Sequence, residues 1–415
     1  MKAILTDAVQ FVLATLDNGR CETRLVGGAV RDFLMDEPIC DVDMATTATP
    51  QKIMEICSSA GMRTIPISVE HGTVMVICGE NKYEVTTLRR DVQTFGRRAT
   101  VAFSDSFKED SQRRDFSINA IYLDKAGKLY DYHNGLADLE QRNIRFIGDP
   151  AQRIQEDYLR ILRYFRFLAR YGKYKVDEKY LHIIASLVPG MSQLSTTRIT
   201  EELLKIFEIR DSYKIIPHMK NVLEQLFQLH QDPLAVCHEL EIFYEMSPTD
   251  KFCMLLLFSR SNIRNLIERY HFHRGISRQT LLFSNNEPFK IDGANFTRNL
   301  LDSIQKRLKK ITRRQWQNFY IQYSIVDLYL RRVITDASTA KLLIFELQNF
   351  SNSGYADFKF RPHLLADLKL TPQQLGIIMT ATRTFWLESS VAVSEVDCLA
   401  FAKNYALRVA QMKKC

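Results

Sequence analysis

The chain has 415 residues, enough for two to four domains at ~100–200 residues each. Hydrophobic residues make up 46% and charged residues 25%, a globular balance that excludes wholesale disorder, collagen and coiled coil. The 56 basic and 48 acidic side chains leave a net charge of +8, which suits a polyanionic partner without requiring one.

From about residue 20 to residue 147, short β-type runs dominate. Residues 24–26 form a strand that leads into Gly27-Gly28, and helices are expected over residues 29–35 and, after the capping Thr49, over residues 50–60. Residues 73–78 and 82–88 read as strands joined by Gly79-Glu80-Asn81. Residues 118–123 and 129–132 form a second pair across Lys125-Ala126-Gly127. The short turns give this part a mostly antiparallel look.

After Gly148-Asp149-Pro150 the period changes to helical. Helices are expected over residues 151–171, 197–208 (capped by Ser195 or Thr196), 221–229, 234–245, 251–260, 300–310 and 316–333, with no strand after residue 150. The expected fold class is α+β: a head with a mixed sheet, followed by an all-α remainder.

Eight cysteines are present, none in a C-x-x-C pattern, so free thiols in a reducing compartment are expected. His271 and His273 form an H-x-H with no Cys near in sequence and read as structural or surface residues. Residues 1–15 do not pattern as a signal peptide. No apolar run reaches ~18 residues, so no membrane span is expected and the setting is taken as cytoplasmic.

The chemistry concentrates in four stretches. In the first, Gly27-Gly28 lets the backbone approach a ligand closely, and the helix that follows opens with free N–H groups suited to phosphate. Arg31 stands in its first turn, placed to pair with a triphosphate. In the second, Asp41 and Asp43 form D-x-D. On a strand, positions i and i+2 share a face, where two carboxylates repel unless a cation lies between them. Mg²⁺ takes one or two carboxylates plus substrate phosphates. Two such metals ~3.5–4 Å apart activate a hydroxyl and stabilise leaving pyrophosphate.

The third stretch, RRDFSINA, places Arg113 and Arg114 beside Asp115, which is able to lock one guanidinium by a bidentate pair. In the fourth, EDYLRILRYFR, Asp157 and Arg160 stand three apart on one expected helix face, with Arg163 and Arg166 following at the same step. Repeated Arg suits planar recognition of phosphate or base edges, and an Asp beside an Arg presents acceptor and donors together. A further basic cluster, Lys306, Arg307, Lys309, Lys310, Arg313 and Arg314, is followed by Trp316, a candidate phosphate-tracking patch. Neither G-x-x-x-x-G-K-[ST] nor G-x-G-x-x-G occurs, which removes support for a P-loop or Rossmann enzyme.

GGAVRD, D-x-D-x-A-T, RRDFSINA, HNGLADL and EDYLRILRYFRF, in this order over about residues 22–210, resemble the class II tRNA nucleotidyltransferase and bacterial poly(A) polymerase family. That family belongs to the polymerase-β-like nucleotidyltransferases. The resemblance implies a head, neck, body and tail, placed here at residues 1–147, 148–230, 231–335 and 336–415. It implies that Asp41 and Asp43 hold Mg²⁺, and that Gly27, Gly28, Arg31 and Arg114 bind the incoming nucleotide. Asp157 and Arg160 then pair with the base of CTP or ATP without a nucleic-acid template, and Arg163 and Arg166 line the same pocket. An RNA 3′-hydroxyl attacks the α-phosphate and pyrophosphate leaves. Glu84 is available as a third acid.

The implied partner is tRNA, gripped by body and tail, with no membrane involved. The leading expectation is addition of C, C and A to tRNA. In the family, the region corresponding to residues 91–110 includes a loop linked to the switch from C to A addition; its full length here disfavours a CC-only enzyme. A poly(A) polymerase is the main rival. LSTTRITEELLKIF and the absence of a strongly basic end speak against it. A CC-only or A-only variant and an RNA-binding protein with a relic head are the remaining alternatives.

Overall fold

The computed structural model describes residues 4–17, 19–95, 98–229, 233–239, 241–259, 263–270, 314–330, 337–352 and 395–411, with single positions and short pieces between 276 and 385. It divides into two compact units, residues 1–229 with 269–271, and residues 230–268 with 272–415.

The first unit opens with α1 (Asp7–Leu16), capped by the Thr6 hydroxyl. Then come β1 (Thr23–Val26), α2 (Gly28–Leu34), β2 (Asp43–Thr46) and α3 (Pro50–Ser59). The Thr49 side chain caps α3 as expected, accepting from the Lys52 amide. Strands β3 (Arg63–Ser68), β4 (Thr73–Cys78) and β5 (Asn81–Thr87) follow, and later β8 (Ile121–Leu123) and β9 (Leu129–Asp131). They build one seven-stranded sheet in the order β3-β4-β5-β2-β1-β8-β9. Only the β2–β5 pair of this sheet is parallel. A crossover thus brings a late strand beside an early one, which is what assembles the site.

Three sequence expectations change here. β3 was not expected, because RTIPIS shows no buried face; it is an edge strand, where Pro66 is tolerated. β6 (Arg89–Phe95) and β7 (Arg98–Phe103), read from sequence as loop, pair as a separate two-stranded hairpin. The strand expected over residues 118–123 is shorter, since residues Ser117–Asn119 form a 3-10 turn. That turn, α4 (Phe107–Gln112) and α5 (Gly135–Glu140) complete the connections around β8 and β9.

α6 (Pro150–Glu156) and α7 (Leu159–Arg170) come next, then α8 (Glu178–Leu187), α9 (Thr196–Phe207) and α10 (Lys220–Phe227). α7 buries Ile161, Leu162, Phe165 and Leu168 and packs along α9. An aromatic cluster of Phe116, Phe146, Tyr164 and Phe167 joins α7 to the sheet end.

The second unit is helical throughout its described residues. α11 (Pro233–Glu239) and α12 (Pro248–Leu257) are followed by α13 (Ile263–Tyr270), α14 (Arg314–Leu330), α15 (Ala337–Asn352) and α16 (Glu395–Gln411). A reciprocal Ser247–Asp250 capping box starts α12. α14 packs on α11 and α15. Leu365, Ile378, Cys398 and Ala402 form a smaller core. His271, His273 and all of the Lys306–Arg313 cluster lie outside the described residues, as do the side chains of Arg314 and Trp316. No helix of the described residues is long and apolar enough to cross a membrane.

Candidate functional site

β1 delivers the chain to Gly27, whose φ of 75° and ψ of −133° suit glycine alone. A Cβ built there would lie 3.7 Å from Arg114 Nη1 and 3.9 Å from Asp43 Oδ2. Asp43 opens β2, opposite Val26 on β1 and opposite Glu84 on β5. Paired positions of neighbouring strands point to the same face, so Asp43 and Glu84 stand side by side next to the glycine turn. Asp41 lies ahead of the strand and is exposed. The D-x-D motif therefore straddles the strand start and does not ride on it, a correction to the sequence expectation.

Burial pushes the Asp43 carboxyl up to about 6, Glu84 and Asp41 add to the push, and Arg114 opposes it. A cation relieves such crowding, and an all-carboxylate donor set suits a hard divalent ion. Among the described residues no three Asp, Glu, His or Cys side chains group as a ligand set. Asp41 and Asp43, with Glu84 beside Asp43, are the carboxylates here that could hold such an ion. That arrangement fits an ion whose remaining ligands are substrate oxygens.

Arg114 is held from behind. Its Nε and Nη2 donate to Asp110 Oδ2 at 3.2 and 3.1 Å, while Arg113 holds Oδ1 at 2.7 Å. The Tyr122 hydroxyl donates to the same Oδ2 at 2.8 Å. Burial alone would raise the Asp110 carboxyl; Arg114, Arg113 and Tyr122 outweigh it and bring it down to about 2. This leaves Arg114 Nη1 directed toward Gly27. Asp110, not Asp115, is therefore the partner of the arginine pair.

Asp115 faces the other way. It accepts from Arg163 Nε at 2.8 Å and from Asn119 Nδ2 at 2.9 Å. Burial works against its charge, yet Arg163 and Asn119 hold the carboxyl well below the usual range. Arg31 is buried beneath the glycine turn, donating to Asn119 Oδ1 at 2.5 Å, Tyr171 Oη at 2.6 Å and Asp32 Oδ1 at 2.9 Å. Its Nη2 lies 3.6 Å from where a Gly28 Cβ would stand. Arg31 therefore reaches the turn from below, with its guanidinium engaged inside the protein.

The helix expected over residues 151–171 is broken. α6 ends at Glu156, and Asp157 is extended with φ −153° and ψ 103°. Its Oδ1 accepts from the Leu159 amide at 3.2 Å, an Asx-type turn that competes with helix. Asp157 and Arg160 thus do not share one helix face. Arg160 donates to Glu156 Oε2 at 2.8 Å and to the Arg153 carbonyl at 2.6 Å. Asp157 takes a two-pronged pair from Arg198 of α9 at 3.1 and 2.7 Å. Arg166 is paired with Glu202, also of α9.

Two groups result. Gly27, Gly28, Asp41, Asp43, Glu84 and Arg114 gather at the sheet end; Asp157, Arg160, Arg163 and Arg166 gather at the α6–α7 break. Arg163–Asp115 joins them, as do the donations of Arg153 and Arg160 to the Arg113 carbonyl. Asp110 and Tyr122 carry no motif that pointed to them, and LSTTRITEELLKIF holds Arg198 and Glu202 without marking either for the site. Asp110 alone left a signal, its three- and four-residue spacing to Arg113 and Arg114.

Comparison with known proteins agrees with this fold. Residues 23–145 match the Poly A polymerase head domain. The CCA tRNA nucleotidyltransferase 1, mitochondrial, of Mus musculus is 31% identical over 97% of this chain and 91% of its own length. The CCA-adding enzyme of Enterococcus faecalis (strain ATCC 700802 / V583) is 43% identical over 45% of each chain. The crystal structure of the Bacillus stearothermophilus CCA-adding enzyme in complex with CTP superposes with a TM-score of 0.66 at 21% identity, over 99% of both chains. The crossed sheet, the glycine turn and the near full-length identity lead to one conclusion: this chain belongs to the CCA tRNA nucleotidyltransferase family.

Proposed function

We propose that this protein adds C, C and A to the 3′ end of tRNA from CTP and ATP, releasing pyrophosphate at each step. The observation that carries the reading is the strand register that sets Asp43 beside Glu84, the Gly27 turn and Arg114. Asp41 and Asp43 are the carboxylates that hold a divalent cation, Mg²⁺ in this reading. When bound, it supplies Lewis-acid stabilisation of the α-phosphate and a lowered pKa for the attacking hydroxyl.

The chain's own groups do the rest. Gly27 and Gly28 let triphosphate oxygens approach the backbone. Arg114 Nη1 meets them from the side, and the Arg31 charge supports the turn from below. The RNA 3′-oxygen attacks the α-phosphorus while the bond to the β-phosphate oxygen breaks. Asp157 and Arg160 read the base edge, and Arg163 and Arg166 line that pocket. In this reading residues 1–147 are the catalytic head and 148–230 the base-reading neck; residues 231–335 and 336–415 are the body and tail that grip tRNA. The seven free cysteines among the described residues suit a reducing compartment, here the cytoplasm. The mouse relative is named as mitochondrial, and co-localisation of the tagged chain with a mitochondrial marker would overturn that placement.

The test is incorporation from CTP, ATP or both on three RNAs, with the 3′ ends sequenced. CCA on a tRNA lacking its 3′ end, and a single A on one ending in CC, are expected. Long A tails on an oligo(A) would replace this reading with a poly(A) polymerase. Asp43→Ala is expected to abolish incorporation while tRNA binding persists; full activity in that variant would remove the metal assignment.

A further inference from the structure

Asp157 is not free to turn. Arg198 Nη1 and Nη2 grip its two oxygens at 3.1 and 2.7 Å, and the Leu159 amide adds a second bond to Oδ1. Oδ1 is thereby filled, whereas Oδ2 takes a single bond and keeps an acceptor position. The pair is largely shielded, with side-chain exposures of 12% for Arg198 and 20% for Asp157. Arg198 Nε is buried without a hydrogen-bond partner. An orphaned donor is costly, and this one accompanies a geometry that commits both terminal nitrogens to Asp157. Arg198 is itself fixed: its neighbour Ile199 is buried, and Glu202, one turn along α9, is tied to Arg166.

We propose that Arg198 is a specificity-determining positioning residue, which sets Asp157 so that Oδ2 alone is presented to the incoming base. This rests on the reading of Asp157 as the acceptor for that base. Cytosine and adenine both carry an exocyclic amino donor on the edge concerned, N4 and N6; guanine carries O6 there, and uracil, like thymine, a carbonyl O4. A carboxylate held with one acceptor position open accepts the amino group and repels a carbonyl. A carboxylate free to rotate loses that discrimination. The two-pronged pair needs a guanidinium: lysine restores charge but offers no fork.

The experiment measures KM for CTP, ATP and tRNA, kcat, and the fraction of U and G at sequenced 3′ ends with all four nucleotides present. It compares wild type, Arg198→Ala, Arg198→Lys, Asp157→Ala and the double alanine variant. Arg198→Ala is expected to raise the KM of CTP and ATP by roughly tenfold to a hundredfold, the range for one charge-assisted bond. U and G incorporation rises with it, and the KM for tRNA is unchanged. Arg198→Lys recovers most of the nucleotide KM but not the base selection. The double variant is no worse than Asp157→Ala.

Wild-type selection in Arg198→Ala, together with lost selection in Asp157→Ala, would overturn the positioning role and leave the base-reading role standing. Intact selection in Asp157→Ala would overturn both. Should Arg198→Ala fail to fold, a folded Arg198→Lys with wild-type selection overturns the proposal equally.

Discussion

Asp110 aims Arg114, the arginine proposed to meet the triphosphate. Its carboxylate is fully buried beneath Arg113, Arg114 and Tyr122. Replacing it with Asn leaves two partly buried guanidinium groups without their counter-charge, a loss of about 3–5 kcal/mol for breaking such a pair. The pH dependence has a definite sign. The folded carboxyl sits at about 2, below its ordinary 3.8. The stabilisation from ionised Asp110 is present above the ordinary value and is lost as pH falls through the folded one. Urea unfolding should therefore show Asp110→Asn weakest against wild type at neutral pH, with the gap closing between about pH 4 and pH 2. A gap that does not change with pH would mean Asp110 is not the charge that holds Arg114. In the same variant Arg114 loses its anchor, and the KM for both nucleotides is expected to rise. The chemistry-bearing residues were legible because their types and spacings announce it: GG before a helix, D-x-D, and arginines at three-residue steps. Their partners were not. Arg198 lies 41 positions from Asp157, Arg163 lies 48 from Asp115, and Asn119 lies 88 from Arg31. Only the tertiary fold chooses among so many acids and bases.

The elements carry a similar lesson. Apolar residues recur at helical spacing from Ile154 through Leu168, on both sides of the break at Asp157, so periodicity alone reads one helix. The interruption comes from a single side chain bonding the Leu159 amide, with no Gly or Pro to mark it. β1, β4 and β5 were legible because buried and exposed residues alternate or run together there. β3 was not, since an edge strand need bury neither face. Gly135 belongs to another tight junction. It starts α5 against the 3-10 turn at Ser117, and a Cβ there would stand 2.4 Å from the Ser117 carbonyl oxygen and 3.0 Å from Ile121 Cγ1. The obstacle is backbone, which yields less readily than a side chain. Gly135→Ala is expected to cost at least the about 1–3 kcal/mol typical of overpacking, read as a lower urea midpoint at unchanged slope. A neutral substitution would show that the HNGLADL stretch does not brace the turn carrying Asn119, and with it Arg31.

At the scale of the whole molecule, the first unit holds every group assigned to the nucleotide. In the proposed reading the net charge of +8 and the cluster from Lys306 to Arg314 serve a different substrate, the tRNA. A triphosphate is met by a few fixed, mostly half-buried groups, and its binding responds modestly to salt. A tRNA backbone is met by many cations, and each phosphate neutralised releases counterions, so its binding falls steeply with salt. The two substrates are therefore separable by ionic strength. Replacing Lys306, Arg307, Lys309 and Lys310 together by Ala should raise the KM for tRNA and leave the KM for CTP, measured at saturating tRNA, where it was. The slope of log affinity for tRNA against log salt should become shallower by roughly one for each phosphate that is no longer neutralised. An unchanged slope would place the RNA path elsewhere in the chain. A rise in the CTP KM would mean that the cluster acts on the nucleotide site, against the division of labour proposed from the half-buried, paired arginines of the neck.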